Sequence, residues 1–273
     1  MITTSDYLLY ATKKLSSKSI DTARLDSLIL MEFVLKKDRA KILANPNTVI
    51  SDKQKNVLNR LLSKRAQHIP IAQIVHKSEF YGRNFYINSY VLEPRPESET
   101  IIELFKTLIS SESSANFYVA DIGTGSGAIG ITAKLECPNI CIDLIDNDRD
   151  ALKVAKKNVV LHTISTNIIH SDLLLSASRD YDILLCNLPY VPDDFHINLA
   201  AGHEPPTAIY GGKDGLDIYR KLFKSLNDLQ HLPLYILSES LPMSHATLSS
   251  IAKSYNYDLV LTNDFVQLFK SHH

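Results

Sequence analysis

Phe117-Tyr-Val-Ala-Asp-Ile-Gly-Thr-Gly-Ser-Gly127 is the stretch that decides the fold. Phe117 to Asp121 is a short apolar run ending in an acid. A glycine-rich turn, Gly123-Thr124-Gly125-Ser126-Gly127, comes next, and a helical pattern then runs from Ile129 to Leu135. Strand, tight turn and helix form the opening unit of a parallel α/β sheet. The pattern continues downstream. Cys141 to Ile145 reads as a second strand, ending at Asp146, and a helix follows from Asp150 to Leu161. Ile168-Ile169, Ile183 to Cys186 and Leu234 to Leu237 read as the third, fourth and fifth strands. The prediction is an α/β fold with a parallel, doubly wound sheet.

Upstream of this sheet the pattern is helical. Tyr7, Leu8, Ala11 and Leu15 share one helical face, as do Leu25, Leu28, Ile29 and Phe33 on a second helix that Asp21 is placed to cap. Ser51 is placed to cap a third helix, with Val57, Leu58, Leu61 and Leu62 inward. Residues 79–92, with a turn at Tyr81-Gly82-Arg83, read as a β-hairpin, and Pro94 and Pro96 end it. The expected organisation is therefore a small helical domain over 1–75, a hairpin linker over 76–93 and the α/β domain over 94–273.

Composition narrows the function classes. The chain has 273 residues, 45% hydrophobic and 22% charged, the balance of an ordinary folded protein rather than a disordered one. No apolar run reaches the ~18 residues of a membrane span. The start of the chain lacks the apolar stretch of a secretory signal. The net charge of -1 argues against broad electrostatic binding to nucleic acid. The one basic cluster, Lys53, Lys55, Arg60, Lys64 and Arg65, reads as a solvated helix face. Cys137, Cys141 and Cys186 have no zinc-ligand spacing, which points to reduced thiols, a cytoplasmic protein and no metal.

Two constellations carry chemistry. Asp146 ends the second strand about 20 residues after the glycine turn, where an acid that accepts ribose hydroxyls belongs. Its neighbours Asp143, Asp148 and Asp150 read as surface or helix-capping acids. The glycine spacing is Gly-x-Gly-x-Gly, behind an acid at Asp121, and Gly130 only imperfectly completes a dinucleotide fingerprint. An acid just before the turn is awkward for a pyrophosphate and suits an ammonium group. Together these features resemble the S-adenosyl-L-methionine loop of Rossmann-like methyltransferases.

The second constellation, Asn187-Leu188-Pro189-Tyr190, directly follows the fourth strand. It resembles the Asn-Pro-Pro-Tyr motif of methyltransferases acting on planar nitrogens. An amide nitrogen has its lone pair delocalised and is a poor nucleophile. Two acceptors that grip its two N–H groups orient it towards an electrophile, so catalysis is positioning and electrostatics. The Asn187 side-chain oxygen and the Leu188 backbone carbonyl supply those acceptors, with Tyr190 against the amide face. Leu188 replaces the commoner proline: it keeps the carbonyl but loses the fixed φ.

Flanking residues select the family. Leu92-Glu93-Pro94-Arg95-Pro96-Glu97-Ser98-Glu99 resembles the Pro-Arg-Pro-Glu-Thr-Glu segment of protein-(glutamine-N5) methyltransferases. Pro70-Ile71, Glu79-Phe80-Tyr81-Gly82 and Phe85 are similar to the linker of that family. Glu204-Pro205, Ala208, Gly211-Gly212-Lys213-Asp214-Gly215-Leu216 and Tyr219-Arg220 are similar to the loop after its motif. Over nearly its whole length the chain resembles the HemK/PrmC family of release-factor glutamine methyltransferases.

The resemblance implies methyl transfer from S-adenosyl-L-methionine, leaving S-adenosyl-L-homocysteine. The acceptor is the glutamine in the Gly-Gly-Gln tip of class I peptide chain release factors, free or with the ribosome. It implies that Gly123, Thr124, Gly125, Ser126 and Gly127, with Asp121 nearby, hold the methionine part. Asp146 takes the ribose, and Asp172-Leu173 flank the adenine. Asn187, Leu188, Pro189 and Tyr190 hold the amide, and Arg95 and Glu97 shape the rim. Glu204 either closes the pocket or caps a turn.

Three other readings compete. An adenine-N6 RNA or DNA methyltransferase accounts for Leu188 but not for the Pro-Arg-Pro-Glu segment. A glutamine methyltransferase of a ribosomal protein is a sister reading. A degenerate, non-catalytic binding module is the third, suggested by Leu188 and by a C-terminus that lacks the family's Gly-x-x-Arg and whose final strand is expected to be shortened or altered.

Overall fold

The computed structural model describes residues 1–112, 116–177, 179–196 and 201–272. They form two compact units, Met1–Lys77 with a short segment ending at His203, and Ser78–His196 with the chain from Glu204 onward.

The first unit holds helices α1 (Thr4–Ser16), α2 (Ala23–Leu35), α3 (Arg39–Ala44), α4 (Asp52–Arg65) and α5 (Ile71–Val75). Strands β1 (Ile2–Thr3) and β2 (Val49–Ile50) pair antiparallel. Tyr7, Leu15, Leu28, Met31, Leu58 and Leu62 form its buried core. Ser51 caps α4 in a capping box with Gln54. The expected Asp21 cap does not form. Thr22 precedes α2, and its hydroxyl is spent on Asp26 at 2.8 Å instead of on a backbone N–H. Arg65 leaves the expected basic face altogether: it is buried and pairs with buried Asp26 at 2.7 Å. Burial of that carboxylate requires a cation, and α4 supplies it.

The second unit begins with the short hairpin of β3 (Ser78–Phe80) and β4 (Arg83–Phe85). It stops well before residue 92, shorter than expected. Buried Asn158 explains this, because its side chain takes both the N–H and the carbonyl of Tyr86, at 2.7 and 2.9 Å. Helix α6 (Glu99–Ser111) leads into the sheet. The sheet comprises β5 (Tyr118–Ile122), β6 (Cys141–Asp146), β7 (Asn167–His170), β8 (Ile183–Cys186), β9 (Tyr235–Glu239), β10 (Tyr257–Asn263) and β11 (Val266–Ser271). Its order is β10-β11-β9-β8-β5-β6-β7. Strands β5 to β9 run parallel, and β10 and β11 are antiparallel.

The period of two along β5 sorts its residues between the faces. Val119 joins a cluster with Ile102 and Phe105 of α6 and Ile131 of α7 (Ala128–Glu136). Ala120 and Ile122 join the opposite cluster with Leu222 and Phe223 of α9 (Asp217–Leu226) and Leu248 of α10 (His245–Ser254). Helix α8 (Arg149–Leu161) contributes Ala155 to the first cluster. Each fully buried Leu or Phe here is worth about 1.5–3 kcal/mol. Two C-terminal strands, β10 and β11, extend the five read from sequence. Among the described residues no helix is long and apolar enough to cross a membrane.

Candidate active site

The chain reverses direction across the sheet at β5, with β6 on one side and β8 on the other. A cleft opens at the carboxyl ends of these strands, as expected for an open α/β sheet. Its volume is about 1180 Å³ including the solvent-filled mouth. The wall gathers Arg95, Gly123, Thr124, Gly125, Ser126, Asp146, Asp172, Leu173, Asn187, Leu188 and Pro189. Asp121, Gly127, Tyr190 and Glu97 do not line it.

Asp121 sits beneath the loop. It is 1% exposed, and its Oδ2 accepts from Thr124 Oγ1 at 2.5 Å and from Gly130 N at 2.9 Å. Burial raises its pKa to about 6, against the opposing pull of Thr124 and Gly130. The carboxylate braces the loop from behind and does not line the cleft. Backbone φ is positive at Gly123, Gly125 and Gly127. Thr124 N bonds Ile145 O at 2.9 Å, and Gly125 N bonds Asp146 Oδ2 at 2.8 Å, which ties the loop to the end of β6.

Asp146 uses its other oxygen to accept from Asp148 N at 2.9 Å. Burial raises its pKa, opposed by the backbone N–H groups of Asp148 and Gly125. Asp148 caps α8, while Asp143 is a buried acid rather than a surface one. Tyr181, Asn167 and Arg179 surround its carboxylate. Asp172 pairs with Lys221, which also lines the cleft.

Asn187 sits directly beyond β8. Its Nδ2 donates to Ser98 Oγ at 2.8 Å. Leu188 is buried. Tyr190 packs towards the apolar cluster beside α9, and its hydroxyl donates to Glu239 Oε1 at 2.8 Å. The segment after the tetrad is braced by the glycine-containing loop: Val191 N bonds Ile209 O at 3.0 Å, and Gly211 N bonds Val191 O at 2.9 Å. Gly215 must lack a side chain, since a Cβ there would lie 2.1 Å from the Tyr190 carbonyl oxygen. Tyr219, fully buried, donates its hydroxyl hydrogen to the Glu239 carbonyl at 2.6 Å, with the Cys186 carbonyl at 3.0 Å, and so links the ends of β8 and β9.

Glu204 is buried and does not close the cleft. It accepts from Glu93 N at 3.0 Å and pairs with Arg95, fixing two wall residues. Burial raises its pKa, and Arg95 opposes the rise.

Sequence reasoning missed Ser98, Asn158 and Glu239. Asn158 Nδ2 also donates to Ser126 O at 2.8 Å, joining the hairpin exit to the glycine loop. Glu239 is fully buried at the end of β9, and its Oε2 has no hydrogen-bond partner among the described residues. Burial raises its pKa, and the hydroxyls of Ser98 and of Tyr190, the latter bonded to Oε1, oppose the rise. An acid ending an apolar run, as at Asp121 and Asp146, is the signal that marks it.

A family model described as the PrmC N-terminal domain matches residues 6–75, and one described as the methyltransferase small domain matches residues 100–204. The chain is 38% identical over 213 residues to a release factor glutamine methyltransferase of Coxiella burnetii, spanning 76% of each chain. A protein of the same name from Dictyoglomus turgidum is 32% identical over 267 residues, 95% of this chain and 93% of the relative. Among solved structures, the hMettl16 catalytic domain bound to an RNA hairpin superposes with a TM-score of 0.55 at 17% identity, over 78% of this chain and 82% of that one. The T. thermophilus 16S rRNA methyltransferase RsmC, bound to AdoMet and guanosine, gives 0.52 at 15% identity, over 72% of this chain and 50% of that one. These two structures share the fold. Signature loop, tetrad and full-length similarity agree: the chain belongs to the release factor glutamine methyltransferase family.

Proposed function

We propose that this chain methylates the side-chain amide nitrogen of the glutamine in the Gly-Gly-Gln tip of a class I release factor, using S-adenosyl-L-methionine. The observation that carries the reading is the polarity of Asn187. Its Nδ2 is committed to Ser98, and its Oδ1 has no partner among the described residues. The wall of the cleft therefore offers an acceptor, which is what an amide N–H requires.

The donor set fits the methyl donor. Asp146 lines the cleft, and each of its carboxylate oxygens takes one backbone N–H, leaving lone pairs for two ribose hydroxyls. Gly125 leaves room on the loop, with nothing nearer than 4.0 Å to the place of a Cβ. Leu173, buried beside Asp172, provides an apolar contact for a purine. When bound, the cofactor supplies an electrophilic methyl group on a sulfonium.

The protein's part is to hold the acceptor amide. Asn187 Oδ1 takes one N–H and the Leu188 carbonyl the other, aligning the nitrogen lone pair with the donor side of the cleft. As the nitrogen–methyl bond forms and the methyl–sulfur bond breaks, leaving S-adenosyl-L-homocysteine, the nitrogen becomes acidic and gives up one of its two protons to water, so no general base is needed at the outset. Arg95, held by Glu204, lies on the rim. The helical unit over 1–75 serves as the region that recognises the release factor, with 76–93 as its linker.

The test is Asn187→Ala. Losing one transition-state acceptor lowers kcat by about 10²–10³-fold, by analogy with removal of an oxyanion-hole donor. Cofactor affinity, measured by calorimetry, stays within about threefold. Equal losses in cofactor binding and turnover would remove Asn187 from the amide site.

A further inference from the structure

We propose that Arg95 binds a main-chain carbonyl of the glutamine-bearing segment of the release factor, and that Glu204 is the positioning residue that holds it for this task. The inference rests on the reading of Asn187 as the acceptor for the substrate amide.

Arg95 stands on the amide side of the cleft. Its backbone carbonyl accepts from Ser98 N at 3.1 Å, and Ser98 Oγ accepts from Asn187 Nδ2 at 2.8 Å. Pro94 and Pro96 flank it, and Arg95 takes the extended backbone, φ -97° and ψ 143°, that a residue before proline prefers. Glu204 completes the frame. Its carboxyl group is buried: one oxygen accepts from Glu93 N at 3.0 Å, and the other pairs with Arg95 Nη2. Glu93 is tied in turn to Ser78, whose hydroxyl donates to its carboxylate at 3.0 Å.

Both oxygens of Glu204 face donors, which is the setting of a carboxylate rather than of a protonated acid. The pair therefore carries no net charge, and an anionic ligand would meet a cation already compensated. What remains is hydrogen-bond donation. A guanidinium only donates, and among the described residues only Nη2 of Arg95 has a side-chain partner. The side chain is partly exposed and lines the cleft. Its complement is a neutral carbonyl oxygen. The side-chain carbonyl of the glutamine is the wrong one, because a donor there withdraws electrons from the nitrogen that must attack. The main-chain carbonyls of a Gly-Gly-Gln segment suit it, since the glycines have no side chains to cover them.

Two conservative variants test this by methyl transfer over a range of release-factor concentrations. Arg95→Lys keeps a cation beside Glu204 but replaces the planar fork with a point charge that Glu204 holds. Glu204→Gln keeps an oxygen for Glu93 N but turns an NH₂ group on the guanidinium, donor against donor. KM for the release factor should rise about 10-fold in each, the loss of a hydrogen bond from a charged group, while kcat and the dissociation constant for S-adenosyl-L-methionine stay within about threefold. A merely structural role would move cofactor affinity as well, because the same wall bounds the whole cleft. The double variant Arg95→Lys/Glu204→Gln should be no worse than Arg95→Lys, because Glu204 acts through Arg95.

An unchanged KM for Arg95→Lys, or a loss that falls on kcat or cofactor affinity instead, overturns the carbonyl site. A rise in KM for Arg95→Lys alone, or losses that multiply in the double variant, overturns the positioning role of Glu204. If Glu204→Gln fails to fold, Arg95→Lys decides alone: a raised KM with kcat and cofactor affinity retained supports the site. Wild-type transfer is measured in parallel. Its absence overturns the functional reading itself along with this inference, whereas transfer by the wild type with unaffected variants overturns this inference only.

Discussion

Gly130→Ala sets two physical effects against each other. Gly130 lies inside α7, where alanine is favoured over glycine by about 1 kcal/mol. Helix propensity alone therefore predicts stabilisation. Packing predicts the reverse. A Cβ at Gly130 would lie 2.4 Å from Leu144 Cδ2, 2.8 Å from Asp121 Oδ2 and 2.9 Å from Asp121 Cβ. Leu144 can rotate at some expense in a full core, but the Cβ of Asp121 is fixed to β5. Overpacking of this kind costs about 1–3 kcal/mol. Pushing Asp121 away also weakens the 2.9 Å bond from Gly130 N, worth about 1 kcal/mol or more. The balance is a net loss of about 2 kcal/mol, or a fall in melting temperature of roughly 4–8 °C for a chain of this size. Circular dichroism with urea or heat is the assay, since the chain has no Trp. Asp121 also holds Thr124, so cofactor affinity should drop several-fold. An unchanged or increased melting temperature would refute the close-packing argument.

Two further outcomes follow from buried acids. Asp121 has a folded-state pKa near 6, above its ordinary 3.8, so its ionised form is disfavoured by folding. Its penalty is absent below pH 3.8, grows between there and pH 6, and is fully present above, reaching at most about 3 kcal/mol. The stability of Asp121→Asn relative to wild type should therefore increase between pH 5 and pH 8 in urea denaturation, and a flat difference would contradict the burial argument. Asp26→Ala leaves Arg65 buried without its partner and should destabilise the helical unit by about 3–5 kcal/mol; a loss under 1 kcal/mol would show that water reaches the guanidinium.

Local patterns in the sequence carried much of the fold and site. The unit from Phe117 to Leu135 is continuous in the chain, so its strand, glycine turn and helix are visible without any tertiary information. Asn187 and Asp146 were legible for the same reason, as polar residues that end apolar runs. What was hidden depends on distant partners. Ser98 reads as a helix-start serine until Asn187, 89 positions away, is placed against it. Asn158 reads as one more residue of α8 until it takes the backbone of Tyr86. Asp143 reads as a surface acid because Arg179 and Tyr181 join it only in the folded chain. Strand β10 escaped notice because, after Tyr257, its residues face solvent at the sheet edge and show no alternation of apolar and polar positions. The same long-range logic explains why Asp121 supports the loop from behind: Gly130 N reaches it from the next helix.

The most direct measurement is transfer of labelled methyl from S-adenosyl-L-methionine to a purified class I release factor, with the Gln→Ala variant of its Gly-Gly-Gln tip as control. The account predicts label on the wild-type release factor, mapped by mass spectrometry to the tip glutamine, and none on the variant. Equal label on both factors, or none on either while the cofactor binds, would contradict it.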